Sequence, residues 1–291
     1  MKRLRRLLVA SVPICGSTLI LAVVASRHDV KAALALATHA RTGVFVLAVV
    51  ALVVVTLFIE SVYFALCIGW ARSECVPLAE ALRLRAAVHF LTVVNVLAGL
   101  GGLVALTARR FRLPHRVVAA LVVSEMLHDL CALAALGLLA AMPYRRWAAL
   151  VLAVGCVGFC AVQILARRTV CRPFFQRLTW DRQSKLFALR MSLHLCHGVF
   201  VAGTLSWFSV HAPLLQATGL AQAAELARSL PISVLGIGVD QVTFPFLFRE
   251  WQIAAGGLLA YSLTYTAALL LVRATMGAFF MGGFVRSAVR T

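Results

Sequence analysis

The chain has 291 residues, of which 62% are hydrophobic and 13% charged, and its mean hydropathy is +0.95. A soluble domain carries about 25% charged and about 45–50% apolar residues, so the composition excludes both a soluble globular domain and a disordered chain. The formal net charge is +18. Because the basic residues lie between apolar runs, we interpret them as topology determinants and contacts to anionic lipid, and we expect no nucleic-acid partner.

The N-terminal segment has the basic head Met1–Arg6 followed by an apolar run over residues 7–25. This pattern is typical of the start of a signal peptide, but no convincing small-x-small cleavage site closes it. We therefore predict an uncleaved first span in a bacterial inner membrane, with the N-terminus held in the cytoplasm.

Six apolar segments are long enough to cross a bilayer, which needs about 20 apolar residues in a helix. They are residues 7–25, 43–67, 117–142, 147–165, 186–209 and 254–285. Two further stretches, 86–107 and 214–246, are interrupted by residues that break helices or favour turns. The residues that mark these interruptions are Asn95, Gly99, Gly101, Gly102, Pro231, Gly236 and Gly238.

Sliding the chain against itself by 137 positions places Gly99 on Gly236 and Gly101 on Gly238, and it lays each apolar segment over another. A fixed offset of this kind indicates a tandem structural repeat. We predict one integral membrane domain made of two repeats, residues 1–143 and 144–291.

The distribution of basic residues predicts the topology. If each interrupted stretch enters and leaves on one side, each repeat has three full spans and the second repeat is inverted relative to the first. The cytoplasmic segments then carry 19 Lys and Arg against 7 outside, in accord with the positive-inside rule. The predicted fold is an all-α polytopic membrane protein of two inverted repeats, each with three full spans and one Gly-broken re-entrant helical hairpin, both termini being cytoplasmic. Broken backbone at membrane depth needs protein or water around it, so the hairpins should meet at a polar cavity.

Two carboxylates lie within the 117–142 span. Glu125 and Asp129 are four residues apart and share a helical face with His128. Charges at membrane depth face a bundle or a wet cavity. Two interpretations stay open: a structural ion pair with Arg190 or Arg273, or a cation, headgroup or proton-relay site.

A cationic stripe follows in the 186–209 span, where Arg190, His194 and His197 lie on one face. Cys196 points elsewhere and no second ligand cluster matches it, so we predict no metal and no cofactor. Motifs for ATP binding, serine hydrolysis and zinc proteolysis are absent, which argues against an enzyme. Intramembrane chemistry by the span carboxylates remains an alternative.

Several motifs resemble the lysylphosphatidylglycerol synthase transmembrane region family, also called flippase-like. In the first half these are Asn95 with its Gly-rich sequel, the Arg-rich segment 109–116, and Glu125-x-x-x-Asp129. In the second half it is the Pro-Ile-Ser-Val-Leu-Gly-Ile-Gly run of residues 231–238. The resemblance covers most of the chain, most firmly residues 90–130 and 228–285.

The chain also departs from that family. It has Asp240-Gln241 where the family commonly has Arg-Glu, and Ala98 and Gly101-Gly102 where the family commonly has Pro and then Gly-Glu. The soluble aminoacyl-transferring domain of full-length synthases is absent too. The resemblance therefore implies lipid translocation or an accessory role in a lipid pathway, not lysyl-lipid synthesis.

The favoured hypothesis is an inner-membrane lipid translocase that passes an anionic or polyprenyl-type lipid headgroup through a polar cavity between the repeats. Arg190 would be the main anion contact, because Asp240 beside the second glycine turn would repel an anion. The full set of expected headgroup contacts is Arg190, Arg273, Asn95, Gly99, Gly101, Gly236 and Gly238. The expected charge-coupling residues are Glu125, Asp129, Asp240 and His194.

The main alternative is a non-transporting accessory membrane protein of lipid or glycolipid biosynthesis that docks a lipid-modifying enzyme.

Overall fold

The computed structural model describes residues 42–94, 96–140, 178–228, 238–248 and 255–289, with the single positions 157 and 161. These residues form eight α-helices, one 3-10 turn at Ser206–Phe208, and no strand, which confirms the predicted all-α class for the described part of the chain. The helices are α1 Thr42–Arg72, α2 Leu78–Val94, α3 Val96–Phe111, α4 His115–Ala140, α5 Trp180–Leu205, α6 Leu214–Arg228, α7 Val239–Phe248 and α8 Ala255–Val289.

Four of these helices have the length and apolar composition to cross a membrane. The spanning segments are Thr42–Arg72, His115–Gly137, Trp180–Phe208 and Gly256–Gly282. Each overlaps one of the predicted spans, so the chain has the helices of a polytopic membrane protein. The spans predicted at 7–25 and 147–165 lie outside the described residues.

The first interrupted stretch folds as two packed helices, α2 and α3. α2 ends at Val94 and α3 begins at Val96, so Gly99, Gly101 and Gly102 lie within α3. The prediction of a helix break at these glycines is therefore wrong. Gly99 and Gly102 instead let two helices approach closely: a Cβ on Gly99 would lie 2.9 Å from the Cα of Thr92 in α2. The sequence pattern could not show whether these glycines form a turn or a close helix contact, because small residues serve both purposes.

The second interrupted stretch contains α6 and α7, and a glycine does begin its second helix. Gly238 has φ 89°, a left-handed conformation that favours glycine, and α7 starts at the next residue. Its carbonyl accepts the Val242 N–H at 3.2 Å, and its own N–H donates to Gln241 Oε1 at 2.6 Å. This is the side-chain half of a capping box. Gly236, like Asn95, lies outside the described residues.

The helix packing has a recurring pattern. An offset of 137 residues takes α1, α2, α3 and α4 onto α5, α6, α7 and α8. The contacts α1–α2, α2–α3 and α3–α4 recur as α5–α6, α6–α7 and α7–α8, and the cross contacts α2–α8 and α1–α8 recur as α6–α4 and α5–α4. α1 and α5 contact each other, so each packs both with its own set of four helices and with the other set.

Two hydrophobic clusters fill the helix bundle. One is built around Phe45, Phe244 and Tyr261, and the other around Tyr63 and Leu84. α1 and α5 each contribute to both clusters, with one cluster at one end of the two helices and the other cluster at the opposite end. The stretch between the clusters on these two helices carries buried polar and charged side chains, and it forms the candidate site.

Candidate functional site

A cavity of about 130 Å³ lies among α1, α4, α5, α6 and α8. Its walls carry acidic, basic and aromatic polar groups within an otherwise apolar bundle. The polar residues that line it are Thr56, Glu60, Asp129, Arg190, His194, His197, Glu225, Arg228, Tyr265 and Arg273. Charged groups this deep among apolar helices require partners or water, so the cavity is the natural place to look for function.

A wider groove of about 650 Å³ lies at the end of α1 beside the α1–α2 loop. Its walls are mainly apolar, and its charged groups are Glu74 and Arg182, whose guanidinium lies 5.1 Å from the centre of the Trp70 ring. No set of charges converges there. We therefore assign the candidate site to the cavity among the helices, called the central cavity below.

Arg190 joins both carboxylates of α4. Its Nη2 pairs with Glu125 and its Nη1 lies 3.3 Å from Asp129 Oδ1. Its guanidinium carbon lies 4.3 Å from the centre of the Tyr63 ring, and the side chain is 3% exposed. The two carboxylates thus point into the bundle and pair with Arg190, which is one of the interpretations that the sequence left open. Because two carboxylates neutralise Arg190, this geometry argues against it as the main anion contact.

Arg85 of α2 completes this group. Its Nη2 pairs with Glu125, and its Nε lies 3.8 Å from Glu60 Oε2. Arg85 ends the segment 71–85, which the topology prediction assigns to the cytoplasmic side, but its side chain is 8% exposed. The missed signal was the spacing of Arg85 and His89, four residues apart in an apolar segment next to the predicted hairpin.

Asp240 takes part in a second ion-paired group. Arg228 Nε lies 3.1 Å from both carboxylate oxygens of Asp240, and Thr266 Oγ1 donates to Oδ2 at 2.9 Å. Arg228 Nη1 also binds Glu225 Oε2 at 2.6 Å. Neither Arg228 nor Glu225 is among the predicted site residues, because the topology prediction counts Arg228 with the basic residues on the outer side of the membrane. With its charge neutralised by Arg228, Asp240 connects α6, α7 and α8 and does not repel an anion as expected.

The two histidines of α5 line the central cavity. His194 Nε2 is 3.0 Å from Asp129 Oδ1, and a hydrogen bond of 2.8 Å joins His197 Nε2 to the Tyr265 hydroxyl. Glu225 Oε2 lies 3.7 Å from His197 Nε2. The Nδ1 atoms of both histidines are buried and have no hydrogen-bond partner among the described residues.

Arg273 differs from the other cavity arginines. It reaches the central cavity from α8, and no carboxylate of the described residues lies within 4 Å of it. Its Nε is buried and donates no hydrogen bond to a described residue. Arg273 is therefore the guanidinium on this wall that no described carboxylate holds in an ion pair within 4 Å.

The central cavity and the two ion-paired groups together contain nine charged residues, five of them buried and four half-buried, which we call the buried network. Its carboxylates are Glu60, Glu125, Asp129, Glu225 and Asp240, and its guanidiniums are Arg85, Arg190, Arg228 and Arg273.

The structure thus gathers some of the predicted site residues and separates others. Arg190, Asp129, His194 and Arg273 line the central cavity, and Glu125 is bound to one of them. Gly99 and Gly101 belong to α3, which contributes nothing to the cavity wall, and Gly101 is exposed with open space beside it. The N–H of Gly238 is taken by Gln241. Among the described residues, no group of three His, Cys, Asp or Glu side chains is arranged to hold a metal ion.

Comparison with protein-family models, curated proteins and solved structures gave no match to this chain.

Proposed function

We propose that this chain is a lipid translocase-like membrane protein that admits a phosphate-bearing headgroup, of an anionic or isoprenoid-type lipid, to the central cavity. The observation that carries the proposal is Arg273, a guanidinium on the cavity wall with no carboxylate of the described residues within 4 Å. A guanidinium presents a fork of donors that matches phosphate oxygens, and a poorly solvated cavity strengthens that attraction. The lipid tails would stay in the bilayer while the headgroup passes the cavity.

The proposed architecture is two inverted repeats, residues 1–143 and 144–291. The recurring packing pattern at an offset of 137 supports it. So does helix length: at 1.5 Å per residue, α2 and α3 span about 25 Å each and α7 about 15 Å, short of a hydrocarbon core of about 30 Å. Helices this short suit hairpins that turn back, and the seam between inverted halves is where transporters place their substrates.

The proposed location is a bacterial inner membrane, with both termini in the cytoplasm. The excess of basic residues in the segments assigned to the cytoplasm supports this orientation. Arg85 and Arg228 are buried in ion pairs, so neither reports on topology. Leaving them out removes one basic residue from the cytoplasmic count and one from the outside count, and the cytoplasmic excess persists.

The ion pairs give each cavity residue a defined task in this proposal. Arg190 and Arg228 fix the carboxylates of α4, α6 and α7, so the walls keep their shape when a headgroup enters. Arg273 then provides the contact with phosphate. The neutralised carboxylates Glu125, Asp129 and Asp240 act as the framework of the cavity and not as headgroup contacts.

The test is transport by the purified protein in liposomes that contain tail-labelled fluorescent phosphatidylglycerol. Dithionite added outside quenches label only in the outer leaflet, so translocation appears as loss of the protected fraction. Wild-type protein should remove that protection, and Arg273→Gln should slow the loss about tenfold or more, the factor given by about 1.4 kcal/mol in a barrier. Lys185→Gln is the matched control, because it removes an exposed charge of α5 that pairs only with Asp181.

Two results would contradict the proposal. If Arg273→Gln transports like wild type, Arg273 is not the headgroup contact. If wild-type protein moves lipid no faster than empty liposomes do, transport itself is wrong, and the accessory role in a lipid or glycolipid pathway becomes the better explanation. Co-purification of a lipid-modifying enzyme from the native membrane would then test that role.

A further inference from the structure

We propose that the headgroup admitted to the central cavity carries a protonated amine as well as a phosphate, with the amine at Glu60 and the phosphate at Arg273. This inference rests on the proposed function, and it narrows the phosphate-bearing headgroup to one whose phosphate charge is balanced by an amine. It follows from the charge balance of the cavity walls and from the unequal pairing of their carboxylates.

The buried network contains one more carboxylate than it has guanidiniums. The net charge of these nine residues is therefore negative before any ligand binds. A headgroup with phosphate alone would add a second uncompensated negative charge to a poorly solvated site, which is costly. A headgroup with both a phosphate and an amine adds none, so the walls favour a zwitterion over a simple anion.

Glu60 is the carboxylate placed to take the amine. Arg228 binds Glu225 at 2.6 Å and Asp240 at 2.9 Å, and Arg190 pairs with both Glu125 and Asp129. The nearest side-chain nitrogens of described basic residues to Glu60 are Arg85 Nε at 3.8 Å and His89 Nε2 at 4.0 Å, beyond hydrogen-bond distance. No described residue donates a hydrogen bond to Glu60, and its side chain is 19% exposed on the cavity wall.

The positions of the two groups and the cavity size fit a compact zwitterion. Glu60 belongs to α1 and Arg273 to α8, two helices that contact each other, so both charges face one space. A water molecule occupies about 30 Å³ in the liquid, so a cavity of about 130 Å³ has room for about four waters. That is enough for a phosphate with a short amine arm, and too little for a large sugar headgroup.

The experiment compares three tail-labelled lipids in the liposome assay: phosphatidylethanolamine, N-acetyl-phosphatidylethanolamine and phosphatidylglycerol. Wild-type protein should move phosphatidylethanolamine about tenfold faster than the other two, which lack a protonated amine. Acetylation removes the positive charge and also enlarges the headgroup. Phosphatidylglycerol, whose headgroup is intermediate in size and also lacks an amine, serves as the control for size. This comparison uses wild-type protein alone, so it does not depend on whether a variant folds.

The variants then assign the preference to residues. Glu60→Gln should lower the translocation rate of phosphatidylethanolamine to that of phosphatidylglycerol. Arg273→Gln should lower the translocation rates of all three lipids. Glu74→Gln is the control, because it removes an exposed carboxylate just beyond the end of α1 that lies outside the central cavity. It should leave the preference unchanged.

The outcomes separate this inference from the proposed function. Equal rates for all three lipids would overturn the inference and leave lipid translocation standing, whereas no movement of any lipid would overturn both. Free phosphoethanolamine in large excess should not lower the rate of lipid translocation, because the lipid is also anchored by its tails and the free compound is not. Strong inhibition by the free compound would show that the site takes a soluble zwitterion, and it would overturn the assignment to a lipid headgroup.

Discussion

Arg228 binds Asp240 through two nitrogens of its guanidinium group. Arg228 Nε lies 3.1 Å from each carboxylate oxygen of Asp240, and Arg228 Nη2 lies 2.9 Å from Oδ2. Asp240 is fully buried and Arg228 nearly so, and the pair joins α6 to the first turn of α7. A carboxylate near the start of a helix is also favoured by the helix dipole. The pair thus fixes the geometry between two short helices, in addition to the packing of α6 on α4 and α5 and of α7 on α8.

Arg228→Gln should destabilise the protein strongly, by about 3–5 kcal/mol, because it leaves Asp240 buried without its counter-charge. Asp240→Asn should cost less, since Arg228 keeps Glu225 at 2.6 Å. Thermal unfolding of the purified variants in detergent measures both. Asp181→Asn, which breaks an exposed pair with Lys185, should change stability by about 0.5 kcal/mol or less. Equal losses for Arg228→Gln and Asp181→Asn would contradict a structural role of the buried pair.

Arg190→Gln should also destabilise the fold, by about 3–5 kcal/mol, because Asp129 loses its guanidinium and keeps only His194. The added substitution Asp129→Asn should restore part of the loss, since it removes the unpaired charge. Arg273→Gln should leave the unfolding temperature near that of wild type. A stable Arg190→Gln protein that fails to bind anionic lipid would instead restore Arg190 as the main anion contact.

The glycines of α3 offer a matched pair of substitutions. Gly99→Ala should destabilise by about 1–3 kcal/mol, because its Cβ would lie 2.9 Å from the Cα of Thr92 and force α2 away. Gly101→Ala should stabilise by about 1 kcal/mol, since nothing lies within 4 Å of its Cβ and alanine favours helix. Unfolding temperatures that move in opposite directions are expected. A loss of similar size at both positions would place these glycines at a turn, as the sequence suggested.

The apolar composition and the length of the apolar segments were sufficient to predict the four spanning helices of the described residues. The predicted spans 43–67 and 254–285 correspond to Thr42–Arg72 and Ala255–Val289, because long uninterrupted apolar runs have few alternatives to a helix. The shared face of Glu125 and Asp129 also followed from helical spacing. Their pairing with Arg190 was one of the interpretations that the cost of charge among apolar residues left open.

The partners of other charges could not be predicted, because they come from distant segments. Arg228 meets Asp240 only because α6 packs on α7, and Arg85 meets Glu125 across 40 positions of sequence. An arginine in a short, moderately apolar helix resembles a loop residue in a hydropathy profile. The sequence places Arg273 among the expected headgroup contacts but ranks Arg190 above it. The lack of a described carboxylate close to Arg273 depends on how every neighbouring carboxylate is used, which sequence does not show.

The topology of the two hairpins gives the last prediction. Cys75, exposed in the α1–α2 loop, and His115, exposed at the start of α4, flank the α2–α3 pair. If that pair turns back within the membrane, Cys75 and His115→Cys, each as the single cysteine, should react with an impermeant maleimide from the cytoplasmic side of oriented vesicles. His211→Cys, in the exposed loop before α6, should react from the opposite side, because three spans separate it from His115: α4, the predicted span 147–165, and α5. Cys131, buried in α4, serves as the unreactive control. Reaction of Cys75 and His115→Cys from opposite sides would mean that α2 and α3 together cross the bilayer, and the inverted relation of the two halves would be lost.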